Sequence, residues 1–125
     1  AHDLDRIFLV SPSSTDDRIR MTTAACRGWV YATAVMGVTG TRSSAPSAAP
    51  ELVARLRELA PDTLVGVGLG VSNGEQAAAV AQYADAVIVG SAMVKTLLAA
   101  DDAGTPDDLT GLRRVVADLA AGVRR

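Results

Sequence analysis

Cysteine, histidine, lysine and aromatic residues are all scarce in these 125 residues: one cysteine (Cys26), one histidine (His2), one lysine (Lys95), one Trp, one Phe and two Tyr. A lone cysteine closes no internal disulfide, which fits a reducing cytoplasm as the expected location. One Cys and one His cannot assemble a nitrogen–sulfur metal site from this chain alone, so no metal is expected. The net charge of −2 and the pI near 5.2 leave no basic patch interleaved with aromatics, so no nucleic-acid partner is expected. No apolar run reaches the ~18 residues of a membrane span, so no membrane partner is expected either. Asp3, Asp5 and Arg6 stand where a signal peptide would need its apolar core. The chain has no initiator Met and enters its first strand almost at once, which reads as a fragment of a longer protein.

What is present is a composition 49% hydrophobic and 21% charged, that of a globular chain able to bury a modest core as one domain over residues 1–125. The sequence is organised around Val65-Gly-Val-Gly-Leu-Gly-Val-Ser72, a short buried strand running into glycines and a polar helix start. Ala86-Val-Ile-Val-Gly-Ser-Ala92 repeats the arrangement about one βα unit later. A glycine at the end of each strand lets backbone N–H groups come close to an anion. Two such ends read as a phosphate cup. The blander reading makes Gly68 and Gly70 tight-turn residues, and Gly66 suits close packing within the strand.

The remaining elements follow in order. Arg6–Val10 is an apolar strand stopped by Ser11-Pro12, and Ser13 to Asp16 offer N-cap candidates for a helix carrying Ile19, Thr23 and Cys26, with Gly28 as its C-cap. Trp29–Val35 is the second strand. A glycine- and serine-rich loop from Met36 to Pro46 follows, of a length that compact α/β domains reserve for function or motion. Pro50-Glu51 opens a helix with Leu52, Val53, Leu56 and Leu59 on one face and Arg55, Arg57 and Glu58 outside it. Ser72 and Glu75 form a capping-box candidate for the next helix. Pro106 is expected to begin the last one. Strands alternating with helices imply a parallel sheet built by right-handed crossovers. Four such units, with an added short helix after the fourth strand, match the second half of a TIM barrel, where phosphate often sits on the last two strand ends.

Phe8-Leu-Val-Ser-Pro-Ser-Ser-Thr15, Gly37-Val-Thr-Gly40, Gly68-Leu-Gly-Val-Ser72 with Glu75-Gln76, and Gly90-Ser-Ala-Met-Val-Lys95 together resemble the α subunit of tryptophan synthase, in that family's order and spacing. The resemblance spans the whole chain but only the C-terminal half of the subunit, strands five to eight of an α/β (β/α)8 barrel. It implies a lyase of tryptophan biosynthesis that cleaves indole-3-glycerol phosphate to indole and glyceraldehyde 3-phosphate by retro-aldol chemistry. No cofactor is implied for that step; pyridoxal phosphate belongs to the β-subunit partner. By position, Gly40, Gly68, Gly70, Gly90 and Ser91 would surround the substrate phosphate. Tyr31 and Leu69 would line the substrate pocket, and Gly37, Val38, Thr39 and Gly40 would form a mobile loop, Thr39 supporting a catalytic Asp.

The family's catalytic Glu and Asp correspond to nothing in this chain, so an isolated fragment is expected to be inactive. Asn73-Gly74 also stands where the family often has Ser-Pro, and Leu69 where many bacterial members have Phe. Read without the resemblance, Tyr31 is a core aromatic, Thr39 a loop hydroxyl, Lys95 a solvated helix residue and Asp85 a structural carboxylate. A second reading is a phosphate-ligand binding half-barrel that self-associates as a dimer, because Phe8, Val10, Val87 and Val89 would be uncovered without the missing half. A different phosphate-binding barrel would share the cup but not the Gly37–Gly40 loop.

Overall fold

A computed structural model describes residues 2–34 and 48–125. The elements are β1 (Leu9–Val10), α1 (Asp16–Ala25), β2 (Trp29–Thr33), α2 (Ala49–Leu59), β3 (Leu64–Gly68), α3 (Gly74–Ala81), β4 (Ala86–Ile88), α4 (Ser91–Asp102) and α5 (Thr110–Val123). The fold is α/β, with four parallel strands in one sheet in the order β1-β2-β3-β4. The chain divides into two compact units, Ala1–Leu69 with Tyr83–Ala86, and Gly70–Gln82 with Val87–Arg125.

In the first unit the period of two decides what is buried. Residues in register across paired strands share a face. Val10 pairs with Ala32, Val30 with Val65 and Ala32 with Val67, and all five side chains are buried. They share the core with Ile19 of α1 and Leu52, Val53 and Leu56 of α2, helices that pack on β1, β2 and β3. The opposite face carries Leu9, Trp29, Tyr31, Leu64, Gly66 and Gly68, with Leu9 60% and Leu64 56% exposed. This corrects the expectation for Val10, which points under the helices; Leu9 is the uncovered residue. Phe8 stays 44% exposed, while Val87 and Val89 are half-buried.

β1 is shorter than expected: the Phe8 carbonyl still accepts from Tyr31 N of β2 at 3.0 Å, but its N–H turns to Cys26 Sγ at 3.3 Å. α1 is capped by Thr15, whose Oγ1 accepts from the Arg18 N–H at 3.2 Å, and Asp16 and Asp17 occupy its positive end. It closes on Cys26, not Gly28; Gly28 takes φ +96° in the connection to β2.

Arg55 and Arg57 lie off the buried face of α2, as the helical pattern has them, and are half-buried at its margin. Long stems let each lie along apolar surface with the guanidinium at its edge. Arg55 donates to Ser14 O at 2.7 Å and pairs with Asp16 at 2.8 Å, fastening α2 to the turn before α1. Arg57 meets Asp85 Oδ2 at 2.8 Å. The same carboxylate oxygen accepts from Val65 N at 2.8 Å, and Asp85 N donates to Val65 O at 3.0 Å. The hydrogen bond from Arg57, reinforced by that from Val65, holds the Asp85 carboxyl below its ordinary range. Asp85 is structural, as its position before a strand suggested.

The second unit is helical apart from the end of β4. α5 packs against both α3 and α4, and Val71, Ala77, Val80 and Leu119 supply buried apolar side chains. α5 starts at Thr110, four residues after Pro106. The residues before it are spent on turns: Thr105 N donates to Ala100 O at 2.8 Å, Asp108 N to Thr105 O at 2.9 Å, and the Asp108 carboxylate accepts from Thr110 N at 3.0 Å. Among the described residues no helix is long and apolar enough to cross a membrane.

Candidate phosphate-binding site

The last residue of β3 is a glycine for a reason within the first unit. A Cβ on Gly68 would lie 2.5 Å from Tyr31 Oη and 2.9 Å from Tyr31 Cε1 and Cζ. The tyrosine ring therefore rests over the backbone at position 68, and its other neighbour is Trp29, with ring centroids 6.3 Å apart in a stacked arrangement. The structure thus brings Tyr31 and Gly68 together, and Leu69 follows, half-buried. An apolar cavity of about 230 Å³ lies at the other end of the strands, between Trp29, Leu64, Val65, Gly66, Asp85 and Ala86. That is the end away from Gly68.

In the second unit Gly70 has φ +83°, a left-handed conformation that costs a non-glycine residue about 1–2 kcal/mol. The chain turns there, buries Val71 and begins α3. Asn73 is the N-cap, its Oδ1 accepting from Gln76 N at 2.8 Å. Gln76 answers with its own side chain, Oε1 accepting from Ser72 N at 2.8 Å and from Ser72 Oγ at 3.0 Å. The capping pair is therefore Asn73 with Gln76, one residue on from the expected Ser72 with Glu75. A further amide of this helix start, Gly74 N, donates to Asp118 Oδ2 on α5 at 2.7 Å.

The start of α4 is built differently. Gly90 is its N-cap at φ −129°, with no side-chain cap and no acidic residue in the first turn. The Gly90 carbonyl accepts from Met93 N at 3.0 Å and Val94 N at 3.1 Å, so the amides of Ser91 and Ala92 stand ahead of the helical ladder. Among the described residues, beyond its chain neighbours, a Cβ on Gly90 would meet nothing within 4 Å. Ser91 is exposed and Lys95, one turn further, is also exposed. Free amides, the positive end of a twelve-residue helix and a serine hydroxyl make a place where an anion can dock without displacing the chain's own partners. Gly37, Val38, Thr39 and Gly40 lie outside the described residues.

Residues 1–121 match the family model described as tryptophan synthase alpha chain. The chain belongs to the tryptophan synthase alpha chain family. The alpha chain of Acidothermus cellulolyticus is 62% identical over all of this chain and 45% of its own length. The solved structure of Mycobacterium tuberculosis tryptophan synthase in space group F222 superposes with a TM-score of 0.81 at 54% identity, covering 99% of this chain and 44% of the other. The aminoacrylate-bound form of the M. tuberculosis enzyme gives 0.77 at 49% identity, covering 98% and 42%. The chain thus spans less than half the length of the alpha chains it matches.

Two residues hold the start of α3 in roles that the sequence reading did not give them: Gln76, named there only within a motif, and Asp118. Gln76 could have been found, since Asn73 and Gln76 carry the same three-residue capping spacing as Ser72 and Glu75. Asp118 could not. It lies 44 residues from the amide it accepts, and one carboxylate on an amphipathic helix gives no local signal.

Proposed function

We propose that this chain is the C-terminal, phosphate-holding half of a tryptophan synthase alpha chain, covering strands five to eight of a (β/α)8 barrel. In the full-length subunit it would serve the cleavage of indole-3-glycerol phosphate to indole and glyceraldehyde 3-phosphate in tryptophan biosynthesis. Gly90 carries the reading. Neither its φ nor any neighbour in the described chain calls for a glycine there, whereas a phosphate seated on the α4 amides does. In this reading the phosphate oxygens accept from backbone N–H groups at Gly70, Gly90 and Ser91 and from the Ser91 hydroxyl. The family resemblance assigns Gly40 and Gly68 to the same phosphate and Tyr31 and Leu69 to the substrate pocket. Thr39, in the Gly37–Gly40 loop, supports the catalytic Asp of the full subunit.

The acid–base carboxylates belong to the absent half, so the chain alone binds but does not cleave. Indole release by the isolated chain at an ordinary enzymatic rate would refute that. The β subunit, with its pyridoxal phosphate, is the partner of the full-length protein in the cytoplasm, and the retro-aldol step itself uses no cofactor. A second reading has the isolated chain self-associating; it rests on the exposed Leu9 and Leu64 beside Trp29 and Tyr31 on one sheet face. Light scattering showing a monodisperse monomer would end it.

The test of the main reading is calorimetric titration with indole-3-propanol phosphate, a non-cleavable substrate mimic, on the chain and on Gly90→Asp. Saturable binding that the added carboxylate abolishes is the expected result. Equal binding by both proteins would remove Gly90 from the site.

A further inference from the structure

α5 braces both helices that follow the glycine turns. It packs against α3 and α4. On the α4 side the contact is light: a Cβ on Gly111 would sit 3.5 Å from Thr96 Cβ. On the α3 side it is close and polar. A Cβ on Gly122 would collide with the Gly74 carbonyl, one on Gly74 would collide with the Asp118 carbonyl, and Gly74 N donates to Asp118 Oδ2 at 2.7 Å. The backbone of α3 is therefore seated directly on the backbone of α5, with one carboxylate fixing where along α5 it sits. Three residues separate Gly74 from the turn at Gly70, and they have little freedom. Val71 is buried, Ser72 is held twice by Gln76, and Asn73 caps the helix.

The geometry points to Asp118 as a positioning residue for the phosphate site: through the Gly74 amide it sets the place of the Gly70 turn relative to the α4 start, α3 and α4 both being packed on α5. This rests on the phosphate reading given above. Asp118 touches no ligand. A positioned amide must sit within a few tenths of an ångström of a hydrogen-bond distance to be useful to an anion, so loosening the seat weakens binding without removing any contacting group. A second consequence concerns which helix start takes the anion. Asp118 and Asn73 already serve the first amides of α3, and the Asp118 charge neutralises that positive end. The open start of α4 is left to the ligand.

The experiment is titration of the chain with indole-3-propanol phosphate, with Asp118→Asn, Asp118→Glu and Asp118→Ala beside the wild type and Gly90→Asp. All are read at a temperature where the amide spectrum shows each to be folded. Asp118→Asn keeps a side-chain oxygen in place and should bind within about twofold of wild type. Asp118→Ala loses a hydrogen bond to a charged acceptor and should bind about fivefold more weakly, with faster hydrogen exchange at the Gly74 and Gly70 amides. Asp118→Glu displaces the acceptor by one methylene and should fall between them; it takes the place of the alanine variant if that variant does not fold. A residue that merely stabilised the fold would lower the melting temperature and leave the dissociation constant alone. If wild type binds, Gly90→Asp does not, and both Asp118→Ala and Asp118→Glu bind like wild type, the positioning role is overturned and the phosphate site stands. If wild type itself does not bind, the phosphate reading falls, and the role of Asp118 falls with it.

Discussion

Helices α3 and α4 both start at a glycine, and the chain finishes one start while leaving the other open. Around Gly74 every space is taken: Asp118 accepts its amide, Asn73 and Gln76 close the turn, and Gly122 lies against its carbonyl. Around Gly90, among the described residues, there is no side-chain cap, no acidic first turn and no atom beyond its chain neighbours within 4 Å of where a side chain would begin. A glycine that its own fold requires and a glycine that its own fold does not require look the same in a sequence. Only the surroundings tell them apart, and the second kind is the one to test for a ligand.

The largest effect should come from filling the closed start. Gly122→Val drives a side chain into the Gly74 backbone, which cannot move aside as a flexible side chain could. About 3 kcal/mol or more of stability should be lost, read as a lower midpoint in urea. Gly70→Ala, which must hold φ +83°, should cost about 1–2 kcal/mol in the same assay. Asn73→Ala removes the cap of α3 and should cost about 1 kcal/mol. Gly90→Ala should be the smallest, within about 0.5 kcal/mol of wild type in stability, while weakening the binding of a phosphate ligand. If Gly90→Ala unfolds the chain as readily as Gly122→Val, the distinction between the two starts is lost.

A pH titration extends the comparison to the first unit, where a carboxylate also accepts a backbone amide. Asp85 is held below its ordinary range in the folded chain, so its contribution is present above the unfolded value near pH 3.9 and lost as pH falls through the folded value. Asp85→Asn should flatten the acid limb of the stability profile below about pH 4 and leave the slope near neutrality unchanged.

Much of this was legible in the chain itself. The runs read at Trp29–Val35 and from Val65 onward located β2 and β3, which the structure bounds at Trp29–Thr33 and Leu64–Gly68, and the 52, 53, 56 spacing located the buried face of α2. Which face of β1 was covered was not legible. A strand of a parallel sheet can be apolar on both sides, so Phe8-Leu-Val10 gives no alternation to read. The end of the chain misled for another reason: Pro106 suits the first turn of a helix, but hydrogen bonds from Thr105 and Asp108 hold a turn there first. At the site, the glycines were visible but not their reasons. Gly68 was read as room for an anion, and the structure gives it a nearer cause in the Tyr31 ring.

The contact between Gly74 and Gly122 has a consequence for how such a chain can change over generations. Two backbones that touch leave neither position free to drift by itself, since any side chain gained at one is an obstruction for the other. Positions 74 and 122 should therefore vary as a pair, and a lineage that enlarges one of them must first have tilted its C-terminal helix away.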